Sequence, residues 1–174
     1  VYYNNGSYTD TILYPGYYGA IETGDNYEFN PEEASKLLKR AGLEDRDNDG
    51  KLESVFNEEI WLRIIVDKDD PFKCKTAEFI KKSLEEHGIV AVLEKVDALT
   101  FKYRIENYDY ELFVGTCKVN ERHDLRSVLH SFYNNPAGYS DTEMNKLIES
   151  FLSSVNSQDK LVYVNKIEEK LKED

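Results

Sequence analysis

The apolar positions of this chain follow two periods, interrupted by turn residues. After Asn30, an N-cap, and Pro31 at the first helical position, Ala34, Leu37, Leu38 and Ala41 share one face of a 3.6-residue repeat. Gly42 stops that helix, and the polar run Glu44 to Gly50 makes a turn. Trp61 to Val66 is a short apolar run rich in β-branched residues, which suits a strand buried on both faces. Ala77, Phe79, Ile80 and Leu84 suit a helix over Phe72–His87, with Gly88 at its end. Ile89–Val96 reads as a second strand, Leu99–Glu106 as a short helix and Asp109–Gly115 as a third strand. The remainder is helical: Leu125–Phe132, a helix opened by the capping box Ser140 to Glu143, and a last helix from about Asp159.

This βαβαβ order predicts parallel strands, right-handed crossovers and helices on the sheet faces, hence an α/β lobe. In such sheets ligands sit outside the carboxyl ends of the strands, where strand order reverses. Two loops occupy that edge. They are Asp67 to Lys73 after the first strand and Thr116 to Asp124 after the third.

Charge narrows the partners. With 22 Lys plus Arg against 34 Asp plus Glu the net charge is −12, which repels nucleic acid and anionic lipid, and no Lys/Arg cluster reverses the sign locally. No apolar run reaches the roughly 20 residues that span a bilayer. The opening 29 residues follow neither period and hold six of the 13 tyrosines before residue 19; they are expected to pack on the lobe as an extended segment. Cys74 and Cys117 fall beside the two edge loops, and spacing leaves open whether they are bridged or free thiols.

The segment Phe29-Asn30-Pro31-Glu32-Glu33-Ala34-Ser35-Lys36-Leu37-Leu38-Lys39-Arg40-Ala41-Gly42-Leu43, with Asp45-Arg46-Asp47-Asn48-Asp49-Gly50 after it, resembles part of family 5 of the extracellular solute-binding proteins, the oligopeptide, dipeptide and nickel receptors of ABC importers. The resemblance runs on through Leu62–Val66, Thr76–Ile89, Phe101, Asn107 to Leu112, Gly138-Tyr139-Ser140 and Glu143 to Ile148. It implies a periplasmic-binding-protein-like lobe of type II over residues 30–174, one part of a two-lobed receptor. It also implies a small solute, usually a peptide, a permease as partner, the remaining lobe of the same receptor, and an exported protein, periplasmic or lipid-anchored at the cell surface. A secreted setting favours a Cys74–Cys117 bridge.

One departure bears on the solute. Peptide-binding members carry Gly-Trp-x-Ala-Asp-Tyr after the third strand, the Asp taking the ligand's amino group. This chain has Gly115-Thr116-Cys117-Lys118-Val119-Asn120, so the anchoring Asp is missing near Val119. The ligand-binding residues expected are Asp67, Asp70, Thr116, Cys117, Lys118, Asn120, Glu121 and Asp124, with Glu121 or Asp124 as substitutes for the anchor.

Other chemistry is thinner. Asp45, Asp47, Asp49 and Gly50 open like a calcium loop, but Phe56 stands where the bidentate Glu belongs, so an acidic turn is expected. His123 and His130 could flank Cys117 in a metal site only if the fold makes them converge, and Cys117 with His123 lacks an orienting third group for catalysis. Neither a catalytic residue nor a cofactor is expected. The competing reading is an independent flavodoxin-like regulatory or enzymatic domain, against which the absence of a Gly-rich phosphate loop counts.

Overall fold

In the computed structural model of the chain, residues 12, 29–116, 123–133 and 135–173 are described, which leaves most of the Tyr-rich opening outside. They divide into two compact units, one of residues 29–116 and one of Ile12 with 123–173.

The first unit is built around β1 (Trp61–Asp67), whose Ile64, Ile65 and Val66 are fully buried. A strand with consecutive buried residues needs cover on both faces, which is why this run lacks the alternation of a half-exposed strand. It pairs in parallel with β2 (Val90–Val96) on one side and β3 (Leu112–Val114) on the other, giving the order β2-β1-β3. Ahead of the sheet lies α1 (Pro31–Arg40), and the crossovers are α2 (Pro71–Glu85) and α3 (Ala98–Glu106). Ile64, Val66, Cys74, Ala77 and Ala91 form the core between α2 and the sheet, with Ile80, Leu84, Leu93 and Val114 against it.

The second unit holds α4 (Arg126–Leu129), α5 (Thr142–Ser153) and α6 (Ser157–Glu173). Leu125, Leu129, Met144, Ile148, Phe151, Val164 and Ile167 make its core, with Ile12 packed on it.

Several boundaries differ from the sequence expectation, each for a local reason. The third strand is shorter than Asp109–Gly115 because Arg63 on β1 draws the approaching chain into a turn: its guanidinium pairs with Asp109 at 2.8 Å, and the Glu111 carboxylate accepts from the Arg63 backbone N–H at 3.0 Å. The expected helix Leu125–Phe132 stops at Leu129, where His130 turns extended at φ −91°, ψ 130°. Asp141 rather than Ser140 caps α5, accepting from Met144 N at 2.6 Å. The last helix starts two residues before Asp159, with the Asn156 side chain accepting from Asp159 N at 2.8 Å. Phe79, expected on the inner face of its helix, is 67% exposed. Replacing Ile64 by Ala should lower the unfolding free energy by about 2–5 kcal/mol, because the cavity lies in the middle of the central strand. Denaturant melts of the two proteins check this, and a change below about 1 kcal/mol would mean that β1 is not the core.

Candidate functional site

The strand order singles out a candidate edge before any side chain is considered. From β1 the chain crosses to β2 on one side, then returns past β1 to β3 on the other, so the reversal of strand order lies between the carboxyl ends of β1 and β3. Register pairs Val66 with Val114, so Asp67 and Gly115 follow side by side at that edge. Of the expected ligand residues, Asp67, Asp70 and Thr116 thus belong to the loops leaving this one edge.

The loop after β1 is stitched from within. Asp67 Oδ1 accepts from Asp69 N at 3.0 Å, Lys68 N donates to Val96 O at 2.9 Å, and the buried Cys74 thiol lies 3.4 Å from Asp67 O. Cys74 is a buried free thiol, while Cys117, the other half of the expected bridge, lies outside the described residues. Asp70 is the N-cap of α2, its Oδ1 accepting from Phe72 N at 3.1 Å and Lys73 N at 3.0 Å, and Lys73 Nζ reaches its other oxygen at 2.9 Å. These bonds from Lys73, first the backbone N–H and then the side chain, hold the Asp70 carboxyl below the usual carboxylate range. Its charge is already matched by the helix end and by Lys73. Lys68 and Asp69, both exposed, are the loop's outward-facing charges.

At the end of β3, Phe113 sits edge-on to Tyr110 at 5.1 Å and to Phe101 at 6.4 Å. A Cβ on Gly115 would come within 2.9 Å of the Phe113 ring, so glycine is the residue that lets the chain leave this aromatic cluster toward Thr116, which is exposed. Cys117, Lys118, Asn120 and Glu121 lie outside the described residues.

Asp124 belongs to the second unit and is held by its neighbour. Arg126 donates Nε at 2.9 Å to Oδ1 and Nη2 at 2.6 Å to Oδ2, and adds its backbone N–H at 3.0 Å. The Arg126 guanidinium foremost keeps the Asp124 carboxyl below its ordinary range. A carboxylate so paired meets a ligand ammonium only by giving up this fork. Sequence spacing alone gave no sign of it, although an Asp two residues before an Arg at a helix start was visible.

The acidic turn carries more than the sequence indicated. Asp45, Asp47, Asp49 and Glu53 bring one oxygen each within 4.8 Å of one another, Glu53 being almost wholly buried. Each also accepts a backbone N–H: Gly50 to Asp45, Asp49 to Asp47, Lys51 to Asp49 and Arg46 to Glu53. Lys51 Nζ stands 3.2 Å from Asp49 and 2.7 Å from Glu59, placing the chain's own cation beside the cluster. Phe56, at the place of the missing Glu, is 80% exposed. No grouping of His123 with His130 appears among the described residues with convergent metal-ligand atoms.

The family model described as "Bacterial extracellular solute-binding proteins, family 5 Middle" matches residues 1–139. The chain belongs to this family. No curated protein sequence matches it. Among solved structures, the family-5 chain is similar to the oligopeptide-binding protein AppA of Bacillus subtilis, solved with a nonapeptide (TM-score 0.78, 18% identity, 92% of this chain and 32% of that one). It is similar to NikA of Brucella suis with Fe(III)-EDTA (TM-score 0.78, 18% identity, 94% and 34%). A third likeness is to a mannohexaose-bound periplasmic oligopeptide-binding protein of Thermotoga maritima (TM-score 0.74, 19% identity, 82% and 29%). The chain therefore spans about a third of the length of the solved structures it matches. The likeness fixes the fold as the type II periplasmic-binding-protein kind, with a parallel sheet flanked by helices, and family membership decides against the flavodoxin-like alternative.

The Asp124–Arg126 fork gives the second unit a measurable acid dependence. Because the folded-state pKa of Asp124 is lowered, its contribution is present above the unfolded value of about 3.9 and is lost as pH falls through the folded one. Asp124→Asn should cost about 1–3 kcal/mol near neutral pH, and the gap to the parent should shrink below about pH 4. Urea melts at several pH values test this; a gap that widens in acid would contradict it.

Proposed function

We propose that the chain is the ligand-binding lobe of an extracellular solute-binding protein that delivers a peptide or similar small solute to an ABC importer. The observation that carries the reading is the coincidence of a family-5 match with a reversal of strand order whose edge loops begin at Asp67 and Gly115. In this reading the two-lobed receptor closes on solute by a hinge, contacts from both lobes stabilise the closed form, and the permease recognises that form. The chain acts by binding and not by catalysis. The receptor stands outside the cytoplasm, in the periplasm or lipid-anchored at the cell surface.

Asp67, Asp70, Thr116, Cys117, Lys118, Asn120, Glu121 and Asp124 form the proposed contact set. Within it the roles divide by charge. Asp70 and Asp124, each already paired with a cation, shape the loops, whereas Asp67, Thr116 and the residues after it meet the solute. With the family's amine-anchoring Asp missing near Val119, an ammonium pair falls to Glu121 of this set, and a solute whose α-amino group is blocked or absent needs only the polar and backbone contacts of the loop.

An isolated lobe offers only its half of those contacts. Titration calorimetry of the 174-residue chain with small peptides should give no affinity at the micromolar level. In the complete receptor, Thr116→Ala or Lys118→Ala should weaken solute binding by about tenfold, the loss expected of a truncated contact residue. Unchanged affinity in both variants, or micromolar binding by the isolated chain, would overturn the reading.

A further inference from the structure

His130 is 5% exposed, and no role in the proposed solute site falls to it. It follows α4 directly and begins a turn that carries Phe132, 88% exposed, and Tyr133, 43% exposed. The turn is built by specific bonds. Ser131 N donates to Asn145 Oδ1 on α5 at 3.0 Å, Tyr133 N to His130 O at 3.1 Å, and Asn135 Nδ2 ties His130 O to Tyr139 O at 3.0 Å each. Among these bonds, the one from Phe132 N to His130 Nδ1, at 3.2 Å, depends on protonation.

An imidazole nitrogen accepts a hydrogen bond only while it carries no proton. The contact therefore fixes the neutral ring as the tautomer with its hydrogen on Nε2, aimed at Glu149 Oε1 at 3.6 Å, too long for a hydrogen bond. Protonation places a second hydrogen on Nδ1, so donor faces donor at Phe132 and that bond is lost. The charged ring is meanwhile drawn to Glu149. The charged and titratable groups around it are Asp124 ahead of α4, Arg126 on α4, Glu149 on α5 and Tyr133 on the turn itself. Arg126 lies 3.9 Å from the same Glu149 oxygen and donates to Tyr133 Oη at 3.0 Å, so a charged His130 competes with Arg126 for Glu149 and loosens its hold near Tyr133.

We propose that His130 is a pH-operated latch on the 130–133 turn, closed on the Phe132 N–H when neutral and released toward Glu149 when protonated. The latch sets whether Phe132 and Tyr133 are presented rigidly or loosely at the surface of the second unit. It stands independently of the receptor reading.

Hydrogen exchange followed by NMR on the 15N-labelled 174-residue chain tests it. Between a pH at which the His130 ring signals report the neutral form and a lower one at which they report the charged form, the protection factor of the Phe132 amide should fall roughly fivefold, the worth of one net hydrogen bond. The amide of Ile148 in the neighbouring core should hold its protection. In His130→Asn, whose side-chain oxygen offers a non-titrating acceptor near the place of Nδ1, the Phe132 amide should show no such fall. Glu149→Gln removes an anion that favours the charged ring, so release should move to lower pH; this exposed site tolerates the change even if His130→Asn fails to fold. Protection that stays flat in the parent, falls equally in His130→Asn, or responds to pH identically in Glu149→Gln would overturn the latch.

Discussion

Three consecutive residues, Ile64, Ile65 and Val66, are fully buried, and the organisation of the first unit follows from that. A strand without a solvent face must be covered above and below and paired along its edges, or its backbone groups are left dry and unbonded. The parallel partners β2 and β3 satisfy the edges, and parallel pairing in turn demands helical crossovers. With one crossover going each way, strand order reverses beside β1. The edge between the carboxyl ends of β1 and β3 is thus a consequence of how one strand is buried.

The same economy of charge recurs along the chain, in the loop after β1 and well away from it. Aspartates that look available in the sequence are committed locally: Asp70 to the first turn of α2 and Lys73, Asp124 to Arg126, and the 45–49 aspartates to backbone N–H groups of their own turn. A net charge of −12 therefore says little about the charge a ligand would meet at this edge. What remains outward at the first loop is the mixed pair Lys68 and Asp69.

Much of the fold was legible because period and punctuation agree. The Asn30-Pro31 start, the apolar run at Trp61 and the Gly42 and Gly88 stops all appear where the pattern puts them, and both glycines adopt positive φ. The errors lie where tertiary contacts outweigh local pattern. Alternation over Asp109–Gly115 predicts a full strand, yet Arg63, distant in sequence, captures Asp109 and Glu111 and leaves Leu112–Val114. Helical spacing through Phe132 likewise gives way to the side-chain bonds of His130 and Asn145. For the site, the edge loops could be read from topology, but the partners Lys73 and Arg126 that neutralise two of the chosen acids follow only from side-chain geometry. Resemblance to family 5 supplied what periodicity does not, the expectation of a small solute and of a second lobe.

Native mass spectrometry of the full-length receptor, purified without added ligand, tests the central claim most directly. The account predicts a retained small solute that is released when the protein unfolds. A receptor that retains nothing and binds no peptide, sugar or metal complex on subsequent addition would contradict it.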